Sequence, residues 1–290
     1  MPRRQVKLFV LCLVLGGIAA QAFGQDTVKL QYKFTPGELL RYKMTMNANV
    51  NMQMSMPEAT GSQMPSMPFR VVGVVRQRTK RILPNGDAEI AVAFESMRIT
   101  MGEKTETMPG DKIPVTTMTI SKDGTVKNVS GMEKMGGQFA GMPFVSPSSL
   151  GQYNGLPDKD LTIGESWSQT VPFPTGGGNL QVTGTLVSTN TKLGKYNVAT
   201  FRQSAGGDID LGAFMPTGMQ SSGGSSSGNA TFIGDATIYF APEEGRVIRT
   251  EGKAAAQVAM NFSGGPEGQS GAMAMTMDMK FDLFLLSQGK

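Results

Sequence analysis

Apolar and polar residues alternate without a break from Leu40 to Met56. Side chains of a β-strand point to opposite faces with a period of two, so this pattern predicts one long strand with an apolar and a polar face. At about 3.3 Å per residue the strand would span roughly 55 Å. Strands of that length are typical of large curved sheets or barrels. The apolar face is mostly methionine, at Met44, Met46, Met52, Met54 and Met56.

Alternation is also found along the rest of the chain, beginning with a predicted first strand in which Val28, Leu30, Tyr32 and Phe34 alternate with polar residues, and it is divided by turn signals. Pro84-Asn85-Gly86-Asp87 and Asp123-Gly124 predict hairpins, because glycine supplies the positive φ angle that tight turns require. Between Phe94 and Met97 the apolar positions change parity, which predicts a β-bulge. A last long strand is predicted from Met273, with Met273, Met275, Met277 and Met279 on one parity. We therefore predict an all-β fold, with long antiparallel strands in a strongly curved sheet or open barrel.

The first 24 residues have the pattern of a secretory signal peptide. Arg3, Arg4 and Lys7 precede a short apolar run, and Ala20-Gln21-Ala22 offers a small-x-small cleavage site. We predict cleavage and export to the periplasm or the extracellular space; retention of the segment as an anchor is the alternative. Cys12, the single cysteine, lies inside this segment, so the mature chain is predicted to lack disulfides.

The remaining chain divides by composition into two β-rich parts. We predict a first half over residues 25–130, a linker rich in Gly, Pro and Ser over 131–160, and a second half over 161–290. A short helix near Met132–Phe139 and a flexible loop over Ser221–Gly228 are further expectations. Thr35-Pro36-Gly37-Glu38 is echoed by Thr162-Ile163-Gly164-Glu165, so the halves are predicted to be similar, with coincidence as the alternative.

Several turn-rich motifs resemble a family of uncharacterised secreted bacterial β-rich proteins. They are Phe34-Thr35-Pro36-Gly37-Glu38, Lys122-Asp123-Gly124-Thr125-Val126, Leu156-Pro157-Asp158, Ile163-Gly164-Glu165-Ser166-Trp167 and Glu244-Gly245-Arg246-Val247. The family carries no known activity to transfer. At the level of fold, such chains are similar to the periplasmic lipoprotein-carrier class, which implies a curved antiparallel sheet around an apolar cavity; fold alone does not fix function.

The composition excludes several classes of catalytic and metal-binding site. The chain has no histidine, which excludes histidine general bases, Ser-His-Asp sites and the usual zinc sites. Of 27 Lys and Arg residues, three lie in the signal segment, so 24 remain against 23 Asp and Glu. Because the charges nearly balance and the sequence has no basic stripe, we expect no nucleic-acid partner. Carboxylates fall at predicted turns, and the Asp-x-Asp pairs beginning at Asp158 and Asp208 lack a complete calcium loop. We expect no enzyme activity, no metal site and no cofactor.

The 22 methionines are the one unusual feature with chemical content. Methionine fills irregular gaps in a core, and it also adapts to varied apolar ligands. Thioethers suit Cu(I), but Met-x-Met on one strand spaces the sulfurs about 7 Å apart, too far for one ion without a neighbouring strand. A reversible oxidant sink is a further interpretation.

From these patterns we predict an exported, non-catalytic protein that binds a lipid or other apolar small molecule. The predicted contact residues are Met44, Met46, Met52, Met54, Met275, Met277 and Met279. The alternative is a structural or interaction protein of the envelope whose core is fully packed. An integral membrane protein is not expected, because the strands' polar faces are rich in Asn, Gln, Thr and Lys and aromatic girdles are lacking.

Overall fold

Strands account for most of the described residues, as the alternation predicts. The computed structural model describes residues 27–56, 59–63, 65–131, 155–172, 177–210, 225–263 and 270–289. Fifteen strands are found in these ranges: β1 Val28–Lys29, β2 Leu39–Met56, β3 Ala59–Gln63, β4 Met67–Ile82, β5 Ala88–Met101, β6 Lys104–Pro109, β7 Thr116–Ile120, β8 Val126–Ser130, β9 Asp160–Leu161, β10 Ser166–Pro172, β11 Asn179–Leu193, β12 Tyr196–Asp210, β13 Ser225–Ala241, β14 Arg246–Ser263 and β15 Ser270–Gly289. A single 3-10 turn is described, at Gly110–Lys112.

Thirteen of these strands form one antiparallel sheet, and eleven of them follow the order β10-β11-β12-β13-β14-β15-β2-β4-β5-β7-β8. β3 pairs beside β2, β6 pairs beside β5, and β1 with β9 forms a separate two-stranded pair. The sheet is curled without closing, because β8 and β10 at its ends are not paired with each other in the described residues. The predicted all-β class with long antiparallel strands in a curved sheet is confirmed.

The last strand of the chain lies at the middle of the sheet. β15 pairs with β14 on one side and with β2 on the other, from Ala272 opposite Ser55 to Gly289 opposite Leu39. It thereby joins two runs of consecutive strands, β10 to β14 and β2 to β8. The two strands that carry the predicted methionine faces, β2 and β15, are therefore direct neighbours.

The local turn predictions are confirmed. β4 and β5 form a hairpin in which the amide of Leu83 donates to the carbonyl of Asp87, and β7 and β8 form another in which the amide of Ser121 donates to the carbonyl of Thr125. The pairing of β4 with β5 shifts by one residue at Glu95, which is the predicted bulge. On its two sides the buried residues change parity, from Phe94 to Met97.

The two motifs that echo each other adopt the same hydrogen-bonded turn. In the first, Gly37 donates to Thr79 and the amide of Thr79 donates back to Glu38. In the second, Gly164 donates to Leu186 and the amide of Leu186 donates back to Glu165. Both glycines have positive φ, 83° and 86°. The division into two similar halves over residues 25–130 and 161–290 stays a prediction.

The predicted first strand over Val28 to Phe34 is shorter than expected. Only Val28–Lys29 is a strand. The next residues cross one end of the sheet, here called its base, which holds the β7–β8 and β13–β14 turns, and Leu30 and Tyr32 are buried in the core there. The amide of Tyr32 donates to the carbonyl of Lys122, and that of Lys33 donates to Gly245. This segment therefore bonds to turns at the sheet's base, which removes the partner strand that further β structure requires.

Two loop predictions meet the described residues only in part. The predicted flexible loop Ser221–Gly228 is wrong for Ser225–Gly228, which belong to β13 and pair with β14; residues 221–224 lie outside the described residues. The predicted helix near Met132–Phe139 also lies outside them. Of the predicted linker, Leu156 is buried in the core and Asp160 with Leu161 forms β9.

Candidate functional site

The seven predicted methionines lie on two strands that pair with each other. β2 carries Met44, Met46, Met52 and Met54, and β15 carries Met275, Met277 and Met279. In the antiparallel register Met52 lies opposite Met275, and Met54 lies opposite Met273. Because alternate residues of a strand share a face, all seven lie on one face of the sheet, here called the methionine face. The structure thus brings the predicted residues together; ligand contact by them stays a prediction.

Burial along the methionine face falls steadily from one end to the other. Met44 and Met46 are 1% and 3% exposed, and Met279 and Met277 are 4% and 8% exposed. Met52, Met54 and Met275 are only half-buried. The base of the face is therefore filled by the protein's own core. The distal end, which comprises Val50–Met54 and Met273–Met275, retains apolar surface that reaches solvent.

A small apolar cluster borders the distal end. Ile209, Ala230 and Val258 are buried there. Leu180, Phe232, Met260 and Met275 pack against these three side chains. Met260 lies directly opposite Met273, so it extends the methionine surface onto β14. Sequence reasoning missed Met260 and Phe232; the available signal was the parity of the residues that precede them in β14 and β13.

A separate cleft of about 770 Å³ crosses the same strands. Most of the side chains that line it are exposed, and their parity is opposite to that of the methionines. The cleft therefore lies on the polar face. Its polar lining includes Asn47, Asn49, Arg70, Asp235, Lys253, Asp278 and Lys280, and Ile233 adds an apolar side chain that is 63% exposed.

Three cations and one carboxylate lie in one cross-strand row of this cleft, with Asp235 opposite Lys253. Lys253 lies directly opposite Lys280, while Asn47 lies between Lys280 and Arg70 on the neighbouring strands. Like charges placed directly opposite each other on a sheet repel. None of the three cations forms an ion pair within the part of the chain that the structure describes.

Carboxylates of the long strands are held as anions by neighbouring cations. Arg41 donates from Nε and Nη2 to the two oxygens of Glu95, at 2.7 and 2.5 Å, and this hydrogen bonding lowers the pKa of Glu95. Hydrogen bonds from Lys80 and Arg81 likewise lower the pKa of Glu89. A general acid at neutral pH requires a raised carboxyl pKa, so these two groups are unsuited to that role.

The carboxylates at predicted turns and Asp-x-Asp pairs also have local partners. Asp87 binds Lys127, with Nζ 2.8 Å from Oδ2, and Asp123 accepts from the amide of Thr125. Asp158 pairs with Lys29 at 3.1 Å. Asp208 lies in strand β12 and accepts from the hydroxyl of Thr231 at 2.7 Å. These contacts correspond to ordinary turn and cross-strand chemistry.

Within the described ranges, no group of three or more His, Cys, Asp and Glu side chains is placed to hold a metal ion. No helix in those ranges combines the length and apolar character needed to cross a membrane.

Comparison with known proteins adds a structural likeness alone. No family model matches the sequence, and no curated protein matches it. A solved structure described as "lipid-protein interactions in lipovitellin" is similar, with a TM-score of 0.42 and 11% identity. The match covers 89% of this chain and 26% of the lipovitellin chain, so this chain spans about a quarter of that protein. The predicted membership of a secreted bacterial family stays a prediction, whereas the β-rich fold it implied is confirmed.

Proposed function

We propose that this protein is exported and binds a lipid or other apolar molecule, without catalysis, at the distal end of the methionine face. The observation that carries the proposal is the burial gradient. Met44 and Met46 are sealed in the core, whereas Met52, Met54 and Met275 continue the same surface toward solvent. A monomeric protein that leaves a contiguous apolar surface open commonly uses it to bind.

The side chains at the distal end suit a ligand of variable shape. Methionine is unbranched and has three rotatable bonds, so its thioether moves to fill the space that a ligand leaves. The bordering cluster of Ile209, Ala230 and Val258 adds a fixed wall beside these flexible groups. Burial of each methylene of a ligand against such a surface contributes about 0.8 kcal/mol. A single acyl chain therefore gains useful affinity here without any charged contact.

The state of the charged groups supports binding without catalysis. The sequence has no histidine, and Glu89 and Glu95 have lowered pKa values because cations donate hydrogen bonds to them. Asp87 and Glu38 are buried and bound to Lys127 and Arg246. Their lowered pKa values keep Glu89 and Glu95 as anions near neutral pH, where neither acts as a general acid.

The complete packing at the base favours a second candidate. Met44 and Met46 belong to the same core as Tyr42 and Val71, and the exposed fraction of each is below 4%. If the distal end is covered by another protein of the envelope, the methionine face is a structural element, and no small ligand is required. The two candidates differ in whether the purified protein takes up an apolar molecule.

Uptake of a fluorescent fatty acid by the mature protein tests the proposal. 11-(Dansylamino)undecanoic acid should show enhanced, blue-shifted emission on saturable binding to the wild type. Met275→Lys places a charge on the distal apolar surface and should weaken binding at least tenfold. Ala274→Lys is the matched control, because Ala274 is exposed on the opposite face of the same strand and should leave binding unchanged.

Native mass spectrometry of protein purified gently from its own envelope, followed by organic extraction, identifies the cargo. A reproducible adduct that extracts as lipid supports binding. No adduct together with no uptake of the probe would overturn the proposal in favour of the structural candidate. Equal weakening by Met275→Lys and Ala274→Lys would also contradict binding at the methionine face.

A further inference from the structure

Methionines of three adjacent strands lie in direct register at the distal end. Met260 of β14 lies opposite Met273 of β15, and Met273 in turn lies opposite Met54 of β2. In the next row along the same face, Met275 lies opposite Met52. All five side chains are half-buried, so they are neither sealed in the core nor dispersed in solvent. We refer to Met54, Met260 and Met273 as the thioether row.

Cross-strand register changes what these sulfur atoms can do. Residues two apart on one strand are separated by about 7 Å, whereas directly opposite side chains on neighbouring strands have Cβ atoms about 4.5–5.5 Å apart. Because each methionine has three rotatable bonds beyond its backbone, sulfurs from neighbouring strands can converge on one small ion. A single strand cannot bring its sulfur atoms close enough to bind one ion, but the pairing of β14, β15 and β2 can.

The side chain of Met260 packs against a glycine of the next strand. Gly228 of β13 lies opposite Met260, and a Cβ at that position would approach the Cγ of Met260 to 3.0 Å, so a larger residue there would press on this end of the row. Two residues further along the same strands, Met52 and Met275 provide further thioethers on the same face. The row thus combines several soft ligands with partial exposure.

We propose that the thioether row binds a soft monovalent cation, Cu(I) or Ag(I). Thioether sulfur is a soft ligand that selects Cu(I) over harder divalent ions, which prefer imidazole or carboxylate. The chain has no histidine, and its one cysteine precedes the described residues, so thioethers are the soft groups that the described face offers. Met54, Met260 and Met273 are the primary ligands, with Met52 or Met275 completing the coordination.

This inference is independent of the proposed apolar-ligand function, although both concern the same end of the face. An apolar ligand is held by hydrophobic contact, whereas a soft cation is held by sulfur. Substitution of methionine by leucine removes the sulfur and keeps an apolar side chain of similar volume, so it tests the cation site without unfolding the chain.

Titration of the full mature chain with Ag(I), which remains monovalent in air, tests the site directly. Native mass spectrometry after dialysis should find one Ag(I) per wild-type chain. The triple variant Met54→Leu/Met260→Leu/Met273→Leu should bind at least tenfold more weakly while its urea unfolding transition stays close to that of the wild type. The control Met67→Leu/Met101→Leu removes two exposed thioethers outside the row and should bind Ag(I) normally.

Sulfur coordination is checked without reliance on any variant. X-ray absorption of the wild type loaded with Cu(I) under ascorbate should show a first shell of sulfur alone. No retained Ag(I), undiminished binding by the triple variant, or a first shell containing nitrogen or oxygen in place of sulfur would each overturn the site. Absence of fatty-acid uptake by the wild type, together with retained Ag(I) binding, would instead overturn the proposed apolar-ligand function and leave the cation site standing.

Discussion

Arg246 and Glu38 form a buried ion pair between residues 208 positions apart, with Nη1 2.8 Å from Oε1. Their side chains are 9% and 7% exposed. Arg246 also donates to the carbonyl of Glu244, and Gln288 donates to the same Glu38 oxygen at 2.9 Å. The pair therefore fixes the starts of β2 and β14 and the end of β15 at the base of the sheet.

Removal of one partner from this pair should be costly. Arg246→Met leaves the Glu38 carboxylate buried without its counter-ion, so the free energy of unfolding should fall by about 3–5 kcal/mol. Urea unfolding followed by Trp167 fluorescence measures the change. The double variant Glu38→Met/Arg246→Met should recover much of the loss, since replacing both partners by apolar groups leaves no buried charge.

The control for the ion pair is Lys29→Met, which breaks the pair with Asp158. These two side chains are 48% and 89% exposed, so no measurable loss is expected. If Arg246→Met costs no more than Lys29→Met, the pair does not hold the base of the sheet.

Glu95 should contribute to acid sensitivity. Hydrogen bonding by Arg41 places its pKa in the folded protein below the ordinary value of 4.5. A lowered folded pKa gives stability that is present above the unfolded value and is lost as the pH falls through the folded value. Stability measured by urea unfolding should therefore decline below about pH 4.5, and Glu95→Gln should make that decline shallower. An unchanged pH dependence in Glu95→Gln would contradict this assignment.

Local features of the fold were predictable because their signals lie in adjacent residues. Asn85-Gly86 and Asp123-Gly124 specify hairpins through backbone conformation, and the parity change after Phe94 marks the bulge. The pairing of β2 with β15 was not predictable, since nothing within either strand selects a partner more than 200 residues away. The predicted first strand failed for the same reason: Tyr32 bonds to the distant turn residue Lys122.

The candidate site was predictable in its residues and not in its extent. Parity placed Met52, Met54 and Met275 on apolar faces, but their burial depends on how the sheet curls over its base. Met260 follows small residues in β14 and joins the surface only through its register with Met273. The cleft on the polar face depends on sheet curvature, which arises from twist and bulges summed over many strands.

Oxidation should follow the burial gradient of the methionine face. Dilute hydrogen peroxide should convert Met52, Met54 and Met275 to sulfoxides before Met44 and Met46, because oxidation requires access to sulfur. Peptide mass spectrometry on the folded protein measures the order. Since a sulfoxide is polar, fatty-acid uptake should fall as Met52, Met54 and Met275 are oxidised. Equal rates for Met44 and Met52 would contradict the gradient.

The two equivalent turns should respond equally to loss of their glycines. Gly37 and Gly164 have φ angles of 83° and 86°, and an added Cβ meets no atom within 4 Å at either position. Gly37→Ala and Gly164→Ala should each lower the free energy of unfolding by about 1–2 kcal/mol, through backbone strain alone. Gly289→Ala is the control, because it has equal space without a positive φ. Clearly unequal losses would argue against equivalent turns.

Trp167 and Gly184 provide a test of packing beside the turn that contains Gly164. The two residues lie opposite each other on β10 and β11, and the indole ring covers the glycine so closely that an added Cβ would lie 2.2 Å from ring atom Cζ2. Gly184→Ala must therefore displace the ring from its edge contact with Phe201. Overpacking of this kind costs about 1–3 kcal/mol.

Trp167 is the only tryptophan, so its fluorescence reports the displacement directly. Gly184→Ala should shift the emission to longer wavelength, because the ring is only 7% exposed in the native sheet and gains water contact when it moves. Gly206→Ala is the matched control on the neighbouring strand, where the nearest atom to an added Cβ is 3.4 Å away. Its spectrum should match that of the wild type. An unshifted spectrum in Gly184→Ala would mean that the sheet yields and the indole keeps its place.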